Sequence, residues 1–226
     1  MSSPTIGLLT IGQAPRRDGL ASDVRKVLGD VRVLERGALD GVTDGEIAEM
    51  SPSEDDYRLI TLLQDGRSVE VAKRHLLPRL QAQIEDLEDE GVGVTLLMCT
   101  GEFPSFRHRR PLLAPQSALY AVVTALAAGG RVASLTPLAS QVTQARRKWS
   151  SMGVDAFVVD ADPYCSDPVP GVAAAAGRAA DAGAAVCFLD CFGYDLRMRD
   201  AAREAFPGQV VLARSLAARL AAEVAL

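Results

Sequence analysis

Histidine occurs only twice and tryptophan once in this chain of 226 residues, and aromatic residues make up 5% of it. With so few imidazoles, a zinc centre has little to draw on. The four cysteines show no C-x-x-C spacing, and four thiols in a chain of this length do not make a disulfide scaffold. Reduced thiols and a cytoplasmic location are the expectation, because Met1-Ser2-Ser3-Pro4 lacks the basic and apolar regions of a secretion signal. No run reaches the about 18 consecutive apolar residues that a membrane helix needs. The Ala-rich tail, 212–226, is interrupted by Arg214, Arg219 and Glu223, and it reads as an amphipathic helix. An excess of positive charge is missing too. The net charge is −5, and the densest basic cluster, Arg107-His108-Arg109-Arg110, is too short for a nucleic-acid footprint. It reads as a solvated loop or a local anion site. These absences argue against a membrane or nucleic-acid partner. Homo-oligomerisation is left open.

What is present is ample material for a core: 48% of residues are hydrophobic and 23% charged. Short β-branched runs alternate with longer helical patterns. Strands are expected at 5–10, 31–34, 92–98, 131–135, 154–159, 184–189 and 209–212. Helices are expected at 17–28, 74–90, 116–128, 138–152, 169–182 and 195–205, with the tail helix last. Between Tyr57 and Val71, two extended runs flank Asp65-Gly66, which is a hairpin signal. Strand–helix alternation of this kind implies parallel sheets with right-handed crossovers.

The chain reads as an α/β fold of two pseudo-symmetric halves facing a central cleft. Ile6-Gly7-Leu8-Leu9-Thr10 and Val132-Ala133-Ser134-Leu135-Thr136 are both strands ending in threonine. Each half later has an apolar strand that runs into a cysteine, with glycine two residues on. The first half is longer, by about the length of the segment 37–72 that carries the hairpin. The expected boundaries are 1–112 for the first half, 113–208 for the second, and 209–226 for a strand and helix returning to the first.

In parallel sheets, ligands gather beyond the carboxyl ends of the strands. Cys99 and Cys191 each stand at such an end, and they would flank one cleft if the halves face each other. Gly101 and Gly193 allow tight turns or close approach of backbone N–H groups. A thiolate stabilised in this way can abstract a proton, because a cysteine's ordinary pKa of ~8.5 is close to neutrality. The competing reading is that both are small buried apolar residues, as free cysteines often are. Cys187 lies inside its strand and belongs to the core, whereas Cys165 sits in a polar loop and is expected to be exposed.

Three segments together resemble the AroM protein family: Ile6-Gly7-Leu8-Leu9-Thr10-Ile11-Gly12-Gln13-Ala14-Pro15-Arg16, Leu97-Met98-Cys99-Thr100-Gly101-Glu102-Phe103 and Leu189-Asp190-Cys191-Phe192-Gly193-Tyr194. The resemblance extends over essentially the whole chain. More distantly, the layout is similar to the aspartate/glutamate racemase superfamily, with its hydantoin racemases, maleate isomerases and arylmalonate decarboxylases. That resemblance implies two α/β halves, no pyridoxal phosphate or other cofactor, no metal, and one catalytic cysteine per half. Cys99 and Cys191 match those positions. One, as thiolate, would remove the proton α to a carboxylate, and the other, as thiol, would deliver a proton to the opposite face.

Donors that hold the carboxylate and its developing enolate charge would perform the largest electrostatic task. The candidates are Thr100, Gly101, Gly193 and Thr136, with Gln13 and Arg16 in the loop after the first strand. Glu102, Asp190 and Tyr194 adjoin the cysteines as further substrate-binding candidates, and Tyr164 is another polar wall. A carboxylate beside a thiol raises the thiol's pKa, so Asp190 reads equally well as a cap of the following turn. The chain departs from the superfamily's racemases at both cysteines. Thr-Gly-Glu follows Cys99 where those enzymes have an Asn-Ser/Thr type, and Phe-Gly-Tyr follows Cys191 where they have Thr. The expected activity is a cofactor-independent racemase, epimerase or isomerase of a small carboxylate. The alternatives are a single-cysteine decarboxylase or covalent-addition isomerase, and a non-catalytic small-molecule-binding protein.

Overall fold

The computed structural model describes residues 5–29 and 31–225. Among these residues there are two four-stranded sheets of parallel strands and, separate from both, a two-stranded antiparallel ribbon. The residues up to Gln116 form one compact unit together with those from Ala217 onward, and Ser117–Leu216 form the other.

In the first unit, strand β1 (Thr5–Thr10) is central, with β2 (Arg32–Gly37) on one side and β5 (Val94–Leu97) on the other. Helix α1 (Leu20–Leu28) buries Leu20, Ala21, Val24 and Leu28, and its larger apolar side chains each contribute about 1.5–3 kcal/mol of transfer free energy. The sequence pattern predicts that this helix begins at Arg17, but it begins at Leu20. Gly19 has φ 74°, a left-handed conformation that glycine takes without a steric penalty, and Arg16 folds back on Asp18 instead of entering a helical turn.

A short helix, α2 (Asp44–Glu49), follows, closed by a reciprocal capping box between Thr43 and Glu46. The expected hairpin is present as β3 (Arg58–Leu62) and β4 (Ser68–Ala72). Helix α3 (Lys73–Asp89) buries Leu76, Leu80, Ile84 and Leu87 and packs on β1, β2 and β4. One strand escaped the sequence reading: β6 (Leu112–Leu113) pairs with β5, inside the Pro- and Arg-rich connection. Two residues between prolines give no periodicity to detect.

The second unit repeats the plan. Helix α4 (Gln116–Ala127) precedes the central strand β7 (Val132–Thr136), which is flanked by β8 (Ala156–Asp160) and β9 (Val186–Leu189). Between β7 and β8, a single 3₁₀ turn (Ala139–Gln141) leads into α5 (Val142–Ser151), where the sequence suggested one continuous helix. Helix α6 (Pro168–Asp181) starts with proline at its first position, where the missing N–H has no intrahelical partner to lose. Helix α7 (Leu196–Ala205) is capped by the Asp195 side chain on the Met198 N–H, at 2.9 Å. Strand β10 (Gln209–Leu212) pairs with β9, so this strand belongs to the second sheet, and α8 (Ala213–Ala225) continues directly from it.

The sheet orders are β2-β1-β5-β6 and β8-β7-β9-β10. The strands correspond one to one. Among the described residues, no helix is long and apolar enough to cross a membrane.

Candidate functional site

The backbone leading into the two cysteines repeats one rung of the sheet ladder. The Met98 N–H donates to the Leu9 carbonyl at 2.8 Å, and the Asp190 N–H donates to the Leu135 carbonyl at 3.0 Å. Cys99 and Cys191 are therefore equivalent, each one residue beyond the last rung between the central strand and its neighbour. Both are half-buried. In each loop the glycine two residues on turns its N–H back to the sulfur: Gly101 to Cys99 Sγ at 3.3 Å, Gly193 to Cys191 Sγ at 3.2 Å. An N–H aimed at sulfur favours the thiolate over the thiol.

Around Cys99, the Glu102 N–H donates to the Tyr57 hydroxyl at 3.1 Å, and Lys73 Nζ donates to the Glu102 carbonyl at 2.9 Å. Lys73 also lies over the Tyr57 ring, 4.1 Å from its centroid. Burial lowers the Lys73 pKa, while the nearby Glu102 and Cys99 charges act in the opposite direction. Neither Lys73 nor Tyr57 was expected in the site. They come from the start of α3 and the foot of the hairpin, and no spacing in the sequence ties them to Cys99. The Glu102 side chain is exposed, and Thr100 is buried.

Gln13 and Arg16 occupy the loop after β1. The Gln13 carboxamide oxygen accepts the Gln64 N–H at 2.9 Å, and the Gln13 N–H donates to the Leu62 carbonyl at 3.2 Å. The Gln64 side-chain amide reaches the Ala14 carbonyl. The hairpin thus holds this loop in place. Arg16 is buried, with two nitrogens on the Asp18 carboxylate (2.6 and 3.1 Å) and a third 3.3 Å from Thr10 Oγ1.

In the second unit, the Tyr164 hydroxyl is 3.6 Å from Cys191 Sγ. The Asp190 side chain is buried, where it accepts from Tyr120, from Ser134 Oγ at 3.2 Å, and pairs with Lys148 Nζ at 3.6 Å. Lys148 in turn sits 4.3 Å from the Tyr120 ring centroid, and that ring stacks on Trp149. Asp190 is therefore bound inside its own unit, and Asp195 caps helix α7. Thr136 is buried at the end of β7, and its carbonyl accepts the Ala161 N–H at 2.9 Å. Tyr194 is fully buried and donates to the Ala161 carbonyl at 2.6 Å. Its pKa stands well above the ordinary phenol value, chiefly because of that burial.

Arg214, read from the sequence as part of a polar helix face, is instead 1% exposed. Its Nε and one terminal nitrogen donate to the Phe192 carbonyl at 3.1 and 2.7 Å, and the same terminal nitrogen is 3.4 Å from the Gly193 carbonyl. Cys187 is buried in β9 with its thiol pKa pushed up to about 12 by burial, and Cys165 is exposed, both as expected. Among the described residues, no group of three or more His, Cys, Asp or Glu side chains could hold a metal ion.

The fold is that of a class of solved enzymes. The structure is similar to an arylmalonate decarboxylase, with a TM-score of 0.59 and 14% identity over 98% of this chain and 92% of that one. It is similar to glutamate racemase from Aquifex pyrophilus, with a TM-score of 0.53 and 12% identity over 97% and 82% of the two chains. It is also similar to the Escherichia coli glutamate racemase, in complex with L-glutamate and an activator, with a TM-score of 0.54 and 14% identity over 99% and 82%. No curated protein sequence matches the chain. The AroM protein family model matches residues 6–225, and the chain belongs to that family.

Proposed function

We propose that this protein is a cofactor-independent racemase, epimerase or isomerase of a small carboxylate-bearing substrate, with Cys99 and Cys191 as its acid–base pair. The observation that carries the reading is the repeated thiol geometry: a half-buried sulfur just past the equivalent strand of each sheet, met by the N–H of the glycine two residues on. Two thiols prepared alike suit a reaction that needs one base and one acid of similar pKa. One thiolate takes the α-proton as the C–H electron pair moves into the carboxylate-stabilised enolate. The other thiol then returns a proton to carbon, and the two sulfurs exchange protonation states. Thr100, Thr136, Gln13 and Arg16 are the candidates for holding the carboxylate, with Glu102 as a further wall residue.

A second reading has one working cysteine, as in a decarboxylase or a covalent-addition isomerase. The unequal surroundings of the two sulfurs favour it, since Cys191 carries a phenol at 3.6 Å and Cys99 lies near an ammonium. Solvent-deuterium exchange decides between them. Amino acids, hydroxy acids and unsaturated diacids are incubated in D₂O with the wild type, Cys99→Ser and Cys191→Ser. A two-base isomerase incorporates deuterium α to the carboxylate and loses interconversion of the stereoisomers in both variants. Turnover that survives one of the substitutions supports the single-cysteine reading. Ligand binding without turnover in all three proteins sinks both and leaves a binding module.

A further inference from the structure

The peptide joining Phe192 to Gly193 is bonded at both ends. Its N–H donates to Cys191 Sγ at 3.2 Å, and its carbonyl accepts two hydrogen bonds from the Arg214 guanidinium, at 2.7 and 3.1 Å. A cation on the carbonyl of a peptide polarises that peptide and makes its N–H a stronger donor, and in a buried setting the effect is screened little. Arg214 is 1% exposed, and its planar fork fixes the carbonyl's direction as well as its charge.

We propose that Arg214 is a positioning residue for Cys191: by gripping the Phe192 carbonyl it aims and polarises the peptide whose N–H donates to Cys191 Sγ. The inference rests on the assignment of Cys191 as a reacting thiol, but its test needs no substrate. The Gly193 position supports it, because this glycine has no room to compensate. A Cβ there would lie 2.6 Å from the Tyr164 ring and 2.8 Å from Pro163 Cγ, so the loop is clamped between those side chains and the guanidinium.

Several other groups within the second unit face this thiol or its loop. The Asp190 carboxylate is turned into its bonds with Tyr120, Ser134 and Lys148, and the Tyr164 hydroxyl lies 3.6 Å from the sulfur. The Tyr194 phenol and the Cys187 thiol are held protonated by burial. Arg214 is the cation bound to the loop's own backbone.

The test is the pH dependence of iodoacetamide alkylation, read for each cysteine separately by peptide mass spectrometry on the full-length native protein. The wild type, Arg214→Gln and Arg214→Lys are compared, with folding checked by circular dichroism. In Arg214→Gln the alkylation midpoint of Cys191 is expected to rise, and its rate at neutral pH to fall about tenfold, while the Cys99 midpoint stays put. Arg214→Lys keeps the charge but loses the two-pronged grip, and its Cys191 rate is expected to fall about threefold. If Arg214→Gln does not fold, Arg214→Lys decides alone. A wild-type Cys191 profile in either folded variant overturns the proposal. Because alkylation is independent of turnover, a failed exchange assay and a failed Arg214 test are told apart.

Discussion

Met98 and Asp190 hold the same place in the two sheets, one residue before the cysteine and on the same rung to the central strand. Met98 is a buried thioether, whereas Asp190 is a buried carboxylate tied to Tyr120, Ser134 and Lys148. The loops above them share the glycine N–H to sulfur hydrogen bond and differ in what touches them. In the first unit an ammonium, that of Lys73, binds the Glu102 carbonyl, one peptide past the glycine. In the second, a guanidinium binds the carbonyl of the very peptide that meets the sulfur. Duplication of the backbone accounts for two thiols of like geometry. The side chains beneath and beside them then set unlike electrostatics. A buried ion pair is a poor source of stability, since desolvation offsets its attraction, so the Asp190–Lys148 pair is better understood as fixing the conformation at the end of β9.

The comparison breaks most visibly if that pair is split. Asp190→Ala leaves Lys148 buried without its carboxylate, and it is expected to cost about 3–5 kcal/mol of stability in urea unfolding. Met98→Leu, at the equivalent rung, is expected to cost less than about 1.5 kcal/mol. Replacing both charges, as in Asp190→Met with Lys148→Met, is expected to recover most of the stability lost by the single change. A double variant as unstable as Asp190→Ala would show that the pair matters for more than mutual neutralisation.

The glycines offer the next contrast. Gly193→Ala drives a methyl into the Tyr164 ring, at 2.6 Å, whereas at Gly101 the nearest atom is a flexible Leu59 methyl at 2.9 Å. The first substitution is expected to cost about 1–3 kcal/mol and the second clearly less, both measured as shifts in urea midpoint. Equal effects would mean that the two loops are equally free to give.

A smaller effect should appear in alkali. The Cys187 thiol stays protonated in the folded protein up to about pH 12, against an ordinary value of 9.0. Well below pH 9 the thiol is protonated in both states. Above pH 9 the unfolded chain loses this proton while the native state keeps it, so the unfolded state gains and stability falls as pH rises. The loss between pH 9 and pH 10 is roughly 1 kcal/mol from this group. Cys187→Ala should flatten that part of the profile, and an unchanged slope would reject the assignment. The smallest shift expected is in Lys73→Met. Removing the ammonium near Cys99 should raise that thiol's alkylation midpoint slightly, a few-fold in rate at most, because Lys73 is only half-buried. Cys191 should be unaffected.

Much of this was legible in the sequence. The β-branched runs, the Asp65-Gly66 hairpin, the two sheets and the placement of both cysteines follow from local pattern and turn chemistry. The polar network was not. Asp190 meets Tyr120 and Ser134 from 70 and 56 residues away, and Lys148 joins from a third element. Such convergence leaves no periodicity in the sequence. Arg214 was misread because an arginine among alanines at a helix start resembles any solvated charge, and the carbonyls that meet it lie in a loop that no spacing ties to it. The start of α1 was missed because a side chain bonding two residues along the chain competes with the helix that the apolar spacing suggests.

The hairpin holds a different lesson. Three hydrogen bonds, one accepted by the Leu62 carbonyl and two donated by Gln64, fasten the loop that carries Gln13 and Ala14, while the sheet ladders run without touching β3 or β4. Substitutions at the ribbon's tip can re-aim that loop and leave the hydrogen bonds of both sheets intact. The ribbon is thus an adjustable handle on that loop, which can be changed without first unmaking what holds the sheets together.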